Sequence, residues 1–236
     1  MGEGENITSI KAVAFDLDGT LYPNYRLYLR LFPDLILHTA FLYAFMVARR
    51  KLHPEQDDVS ETALSFYDRQ AALTAELLGK DPEQTKRKLE GLVYGSWERQ
   101  FTRIKIFPHL RETLAALRER KFRLAVLSDF PPLRKLVYLG LDGFFDVTLS
   151  SETTGALKPS GIPFAELVRL LDVQPGEILY VGNSVRFDIE GAKSAGLKAA
   201  LIKRSFLSTG RVPKNYTGSA DLVFRDYRQL LEYVLK

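Results

Sequence analysis

Short apolar runs recur along the chain and predict the strands of a sheet. The first run covers residues 10–15 and ends at Asp16. An uninterrupted apolar run of this length is typical of a parallel strand that is buried on both faces. Similar runs lie at residues 122–127, 145–149, 178–181, 198–202 and 222–224.

Segments with helical spacing alternate with these strands. Leu110, Leu114 and Leu117 fall on one face of a helix, because apolar residues three or four apart lie on the same side. A second such face follows further on, made of Phe164, Leu167, Val168 and Leu171. Strands and helices in alternation over short connections predict an α/β domain with a doubly wound, mostly parallel, Rossmann-like sheet.

The stretch between the first two predicted strands has a different pattern. Its apolar residues follow helical spacing, as in Leu64, Tyr67, Ala71 and Leu78, and it contains no convincing strand. Residues 79–82, Gly-Lys-Asp-Pro, predict the end of one helix and the start of the next, with Asp81 as N-cap and Pro82 in the first turn. We therefore predict a core domain of residues 1–21 and 108–236, interrupted by an all-helical domain of residues 22–107.

One segment of the helical domain, residues 35–48, is strongly apolar. A helix of this length rises about 21 Å, which is short of the roughly 30 Å hydrocarbon core of a bilayer. We expect a buried helix and no stable membrane insertion; a membrane-surface contact or a dimer contact is the alternative. The polar, acidic amino terminus does not resemble a secretory signal, so we expect a cytoplasmic protein.

The amino-acid composition excludes several kinds of catalytic and metal site. The 236 residues include no cysteine and only three histidines, His38, His53 and His109, which do not have the spacing of metal ligands. This excludes disulfides, thiolate metal sites and cysteine nucleophiles, so any metal must be a hard cation bound by oxygen. The net charge is +4 without long basic blocks, and we expect no nucleic-acid partner.

The candidate chemistry begins directly after the first predicted strand, in the sequence FDLDGTL of residues 15–21. Asp16 and Asp18 are two residues apart, which places both carboxylates on one side of an extended segment, roughly 6–7 Å apart. The carboxyl end of a buried parallel strand is where α/β sheets bind ligands. The alternative is an ordinary turn followed by a helix cap.

This motif resembles the first motif of the haloacid dehalogenase superfamily, and three further resemblances follow in order. Ser128 in VLSDF resembles the second motif, a hydroxyl residue after an apolar strand, and Lys158 in GALKPS resembles the third. Residues 181–196, an acidic loop leading into a Gly-Ala-rich helix, resemble the fourth. In this family, a helical insert at residues 22–107 is a type-one cap.

The resemblance implies a Mg²⁺-dependent phosphatase. Asp16 would attack phosphorus and form an aspartyl-phosphate, while Asp18 would serve as general acid and then general base. Ser128 and Lys158 would bind the phosphate. Magnesium would be held by Asp16, the backbone carbonyl of Asp18, Asn183 and Asp188. For Ser128, a helix cap is the alternative interpretation.

Asn183 departs from the family pattern, since phosphatases of the family carry aspartate there. The amide can still bind a cation through oxygen, but with one negative charge fewer. The dehalogenases of the family also carry asparagine in this loop and use no metal, yet they lack the second aspartate, which is present here as Asp18. Carbon–halogen hydrolysis and a binding protein with weakened catalysis therefore stay open as alternatives.

The substrate is expected to be a small phosphorylated metabolite, and the protein a monomer or homodimer. Selectivity would come from side chains of the helical domain that face Asp16. The candidates just after the first motif are Tyr22, Asn24, Arg26 and Tyr28.

Overall fold

The sheet is six-stranded and parallel throughout. The computed structural model describes residues 10–53, 65–203 and 218–236. The strands lie in the order β3-β2-β1-β4-β5-β6. Their bounds are β1 (Ala12–Phe15), β2 (Arg123–Ser128), β3 (Val147–Ser150), β4 (Ile178–Gly182), β5 (Lys198–Ile202) and β6 (Leu222–Phe224). Each predicted strand is confirmed to within two residues at either end, because uninterrupted apolar runs have few other ways to be buried.

Helices cover both faces of the sheet. The bounds are α1 (Asn24–Leu37), α2 (Thr39–Lys51), α3 (Phe66–Leu78), α4 (Pro82–Gly91), α5 (Leu110–Glu119), α6 (Leu133–Leu139), α7 (Gly161–Leu171), α8 (Gly191–Ser194) and α9 (Tyr227–Val234). Successive side chains of β1 enter different cores: Val13 and Phe15 pack with α5, α6 and α9, whereas Ala12 and Ala14 pack with α7 and α8. The doubly wound α/β fold is therefore confirmed.

The order of the strands reverses at β1. From β1 the chain passes to β2 and β3 on one side and returns to β4, β5 and β6 on the other. Loops at the carboxyl ends of strands diverge at such a reversal and leave a crevice where α/β proteins bind ligands. Asp16 follows β1 at this point.

The described part of the chain between β1 and β2 contains helices and no strand. We call residues 24–53 and 65–103 the helical insert, and the six strands with α5–α9 and the loops that connect them the sheet region. The predicted boundary between α3 and α4 is confirmed: Gly79 ends α3 in the left-handed conformation, and the side chain of Asp81 accepts a hydrogen bond from the amide of Gln84. Leu64 lies outside the described residues, and the exact division at residues 21/22 and 107/108 stays a prediction.

The prediction of one buried helix over residues 35–48 is wrong. α1 ends at Leu37 and α2 begins at Thr39, whose hydroxyl donates to the backbone oxygens of Leu35 and Ile36. A hydroxyl that bonds the last carbonyls of a helix competes with its continuation. In α2 Phe45 is fully buried, but Leu37 at the end of α1 and Tyr43 in α2 are largely exposed.

Among the residues that the structure describes, no helix alone has both the length and the apolarity to cross a membrane. α1 and α2 meet these criteria only as a pair, bent by 114°.

Candidate active site

Three neighbouring strands bring the predicted residues to one edge of the sheet. Asp16 follows β1, Ser128 ends β2, and Asn183 follows β4. β1 lies between the other two strands. Parallel strands align their carboxyl ends, so residues separated by more than a hundred positions in the sequence meet here.

Asp16 is a buried carboxylate of this edge, with 6% of its surface exposed. Its Oδ1 lies 2.8 Å from the Nζ of Lys158, and its Oδ2 accepts a hydrogen bond from Thr20 at 2.8 Å. Burial raises the pKa of Asp16 to about 7, and the nearby carboxylates of Asp188 and Asp18 add to this against the opposing effect of Lys158. Its two oxygens are thus oriented by partners on opposite sides.

Lys158 connects two carboxylates. Its Nζ lies 2.8 Å from Asp16 and 2.7 Å from Asp188, and it donates to the hydroxyl of Tyr180 at 3.1 Å. Burial alone would lower the pKa of Lys158, but the two carboxylates outweigh it and raise the pKa well above its usual value. A lysine that is 2% exposed is therefore kept charged beside Asp16.

Asp188 shapes the loop after β4. Its Oδ2 accepts hydrogen bonds from the backbone amides of Asn183 and Ser184 at 3.0 and 2.9 Å, while Oδ1 faces Lys158. A Cβ atom at Gly182 would overlap the Asp188 side chain, so this close packing requires glycine. Both oxygens of Asp188 are thus engaged, one by the loop amides and the other by Lys158, and its direct ligation of a metal stays a prediction.

Asn183 faces the first motif across the crevice. Its Oδ1 lies 3.5 Å from the hydroxyl of Thr20, and its side chain packs against Gly19, whose φ of +94° few other residues adopt. The oxygens here belong to a carboxylate, a side-chain amide and a backbone carbonyl, the donors that Mg²⁺ prefers. The described residues contain no cluster of three or more histidine, cysteine or acidic side chains that could hold a metal. A cation would thus depend on Asp16, Asn183 and the carbonyl of Asp18.

Asp18 is held by contacts of its own. The hydroxyl of Tyr22 donates to Oδ1 at 2.5 Å, and the Nζ of Lys135 lies 3.1 Å from Oδ1 and 2.8 Å from Oδ2. Asn24 donates to the backbone oxygen of Asp18 at 3.3 Å. Two of the predicted selectivity residues, Tyr22 and Asn24, therefore contact Asp18 directly.

Ser128 lies at the end of β2 and is fully buried. Its hydroxyl accepts a hydrogen bond from the amide of Phe130 at 3.3 Å, which is a contact within the turn after β2. The alternative of a helix cap is wrong, because the next helix, α6, has Pro132 as its N-cap. The next residue, Asp129, accepts from the backbone amide of Lys158 at 3.1 Å. The second and third motifs are thus joined through Asp129, and phosphate binding by Ser128 stays a prediction.

Comparison with known proteins identifies the family. The sequence model of the family of haloacid dehalogenase-like hydrolases matches residues 10–196, which is most of the chain. The chain belongs to the haloacid dehalogenase-like hydrolases.

Curated relatives align over nearly the whole length. The chain is 31% identical over 231 residues to the glyceraldehyde 3-phosphate phosphatase of Methanopyrus kandleri, an alignment that covers 95% of this chain and 97% of that protein. It is 28% identical over 235 residues to the phosphoglycolate phosphatase of Mannheimia succiniciproducens, covering 96% and 99%. Among solved structures, the 2-haloacid dehalogenase from Pseudomonas syringae pv. Tomato superposes with a TM-score of 0.63 at 25% identity, covering 96% and 98%.

The resemblance expected from the four motifs is therefore confirmed, but the motifs did not reveal every residue of this hydrolase site. Thr20 and Tyr180 contact the Asp16–Lys158 pair. Thr20 was detectable as a hydroxyl two residues after Asp18. Tyr180 lies within an apolar strand and Lys135 within an unremarkable helix, and neither has a local pattern that reveals its partner.

Arg49 is another residue that the motifs did not indicate. It lies at the end of α2 and forms a buried ion pair with Glu152, just after β3. Its second nitrogen donates to the backbone oxygen of Asp129 at 3.0 Å, and its guanidinium lies 3.9 Å from the centre of the Phe130 ring. Arg49 thus joins the helical insert to the loop that holds Lys158 in place.

Proposed function

We propose that this hydrolase is a Mg²⁺-dependent phosphatase that hydrolyses a small phosphomonoester through an aspartyl-phosphate on Asp16. The proposal rests on the surroundings of Asp16. One oxygen of this buried carboxylate contacts Lys158, the other accepts a hydrogen bond from Thr20, and a second carboxylate, Asp18, lies two residues away in the sequence. The names of the glyceraldehyde 3-phosphate and phosphoglycolate phosphatases support this reaction class.

The proposed reaction has two steps. An oxygen of Asp16 attacks phosphorus, the ester P–O bond breaks, and the carboxyl of Asp18 gives its proton to the departing alkoxide. Water then attacks the same phosphorus and gives a proton to Asp18, while the bond from phosphorus to Asp16 breaks. The ammonium of Lys158 offsets the charge of the phosphate oxygens throughout.

The cation would be held by Asp16, Asn183 and the backbone oxygen of Asp18. When bound, Mg²⁺ supplies positive charge that neutralises phosphate oxygens. The same charge would favour the ionised form of Asp16, which the attack needs, against the burial that raises its pKa to about 7. The substrate we propose is a small phosphorylated metabolite, and a cytoplasmic location stays an expectation.

Hydrolysis of p-nitrophenyl phosphate, with and without Mg²⁺, tests the proposal. We expect Mg²⁺-dependent turnover by the wild type and a loss of at least about a thousandfold in Asp16→Asn, because the attacking group is removed. Asp142→Asn, an exposed carboxylate of the sheet region, is the matched control and should retain its rate. Equal rates in the wild type and Asp16→Asn would overturn the role of Asp16.

Carbon–halogen hydrolysis by Asp16 is the second candidate. Asn183 and the likeness to a 2-haloacid dehalogenase favour it. Asp18 argues against it, because displacement of a halide requires no proton donor for the leaving group. Release of chloride from 2-chloropropionate without Mg²⁺, together with no turnover of any phosphomonoester, would replace the phosphatase proposal by this one.

Asn183→Asp tests the metal site separately. The added carboxylate restores the charge that the amide lacks, so we expect Mg²⁺ to bind about tenfold more tightly in calorimetric titration. Asn183→Ala, which removes the oxygen altogether, is expected to weaken binding. Identical titrations of all three proteins would mean that residue 183 is not a ligand.

A further inference from the structure

Lys135 is a nearly buried cation at the site that the proposed reaction does not use. It lies in α6, is 8% exposed, and its Nζ lies within 3.1 Å of both oxygens of Asp18. A nearly buried ammonium needs acceptor oxygens beside it, and those of Asp18 supply them. Its position therefore depends on Asp18, and that of Asp18 depends on Lys135.

The surroundings of Lys135 restrict its movement. Its Nζ lies 5.1 Å from the ring centre of Phe101, at the end of the helical insert, and 5.1 Å from that of Phe130, just after β2. Aromatic rings at this distance attract a cation and leave it few alternative positions. The ammonium is thus fixed by the rings on one side and by the carboxylate on the other.

Tyr22 completes the arrangement around Asp18. Its hydroxyl donates to Oδ1, and its ring is fully buried and packs edge-on against Phe101 at 5.2 Å. Burial, reinforced by the charge of Asp18, raises the pKa of Tyr22 well above its usual value, so the phenol remains a donor. Asp18 is thus held by two buried donors from different parts of the chain.

We propose that Lys135 is a positioning residue that fixes the carboxyl group of Asp18 where it delivers a proton to the leaving group. The inference rests on the proposed role of Asp18 as general acid. Lys135 itself neither transfers the proton nor contacts the phosphate. Correct placement of a reacting group accounts for a large part of enzymatic rate, and small displacements of such a group are costly.

The dependence of kcat/KM on the leaving group distinguishes this positioning role of Lys135 from a merely structural one. A nitrophenolate departs with little help from an acid, whereas an alkoxide must be protonated as it leaves. The ratio kcat/KM covers the steps up to the first bond cleavage and thus excludes the later attack of water. Misplacement of Asp18 therefore lowers kcat/KM for an alkyl phosphate and leaves that for p-nitrophenyl phosphate nearly unchanged.

The experiment compares Lys135→Met with the wild type on both substrates, with ethyl phosphate as the alkyl ester. Methionine keeps an apolar stem between the rings and removes the charge. We expect kcat/KM for ethyl phosphate to fall about ten- to a hundredfold, part of the roughly 10²–10⁴ that a general acid contributes, and that for p-nitrophenyl phosphate to fall less than about threefold. Lys135→Arg, which keeps the charge, should recover most of the loss.

Lys193→Met is the matched control. Lys193 also contacts both oxygens of one aspartate, Asp221, at 3.1 and 3.0 Å, but this pair lies on the surface of the sheet region. Substitution of Lys193 should leave kcat/KM unchanged for both ethyl phosphate and p-nitrophenyl phosphate. If Lys135→Met does not fold, as judged by thermal unfolding, Lys135→Gln takes its place.

If kcat/KM of Lys135→Met fell equally for the two substrates, or stayed unchanged for both, the proposal would be overturned. A crystal structure of the folded variant adds a readout independent of turnover: Asp18 should occupy more than one rotamer, and an unmoved side chain would contradict the positioning role. Failure of the proposed function looks different, because the wild type itself would then hydrolyse neither ester.

Discussion

The sheet region and the helical insert bury their apolar side chains to different degrees. All four residues of β1 are fully buried, since helices cover both faces of the sheet. In α1 and α2, by contrast, six large apolar side chains are 57–74% exposed: Leu29, Phe32, Ile36, Leu37, Tyr43 and Met46. The difference shows that apolar composition alone does not tell which residues hold a helix in place.

The two regions also bury their cations differently. Lys158, in the sheet region, lies between two carboxylates that belong to the same region. Arg49, in the helical insert, pairs with Glu152 of the sheet region and is surrounded by aromatic rings. The first pair belongs to the candidate active site, whereas the second fastens the insert to the sheet.

The largest effect is expected from Lys158→Met. It leaves Asp16 and Asp188 buried without their cation, which typically costs about 3–5 kcal/mol, and it removes the charge that faces the phosphate. We expect this loss in the free energy of unfolding at pH 8, measured by urea denaturation, together with loss of phosphatase activity.

Lys11→Met provides the control for that substitution. Lys11 pairs with Glu177 at 2.7 Å, but its side chain is 57% exposed, and such pairs contribute about 1 kcal/mol or less. Equal stabilities of the two variants would contradict the structural role assigned to Lys158.

A matched pair within α2 sharpens the contrast in burial. Phe45 is fully buried in a small cluster with Ala71 and Leu89, whereas Tyr43 on the same helix is 72% exposed. Phe45→Ala should lower the free energy of unfolding by about 3–5 kcal/mol, and Tyr43→Ala should change it by no more than about 0.5 kcal/mol. Similar losses in urea denaturation would mean that the exposed face of α2 is covered in solution.

The smallest expected effect is the change in the free energy of unfolding with pH in the absence of metal. The pKa of Asp16 is about 7 in the folded protein against an ordinary value of 3.8, so the folded state keeps a proton that the unfolded chain has already released. The contribution of this group to the free energy of unfolding is therefore greatest at low pH and falls as pH rises through this window.

Asp16→Asn isolates that contribution because asparagine does not titrate. With EDTA present, the stability of the wild type relative to Asp16→Asn should fall by about 1–3 kcal/mol between pH 4.5 and 8. Parallel stability curves for the two proteins would show that burial does not raise the pKa of Asp16.

Local patterns were sufficient for the strands and for several helix ends. Continuous apolar runs predicted all six strands, and the helix boundary at Gly79 and Asp81 followed from glycine and aspartate chemistry. They failed at residues 35–48, because hydropathy does not record which face a neighbouring helix covers. The break at His38 depends on hydrogen bonds of Thr39 that no spacing predicts.

For the candidate site, too, local patterns predicted one part and missed another. Motif order and strand ends predicted that Asp16, Asp18, Lys158 and Asp188 lie at one edge of a parallel sheet. The partners of each side chain became known only from the three-dimensional structure. Lys135 reaches Asp18 across 117 positions of sequence, and such a contact follows from how the helices pack, which the pattern within any single segment does not contain.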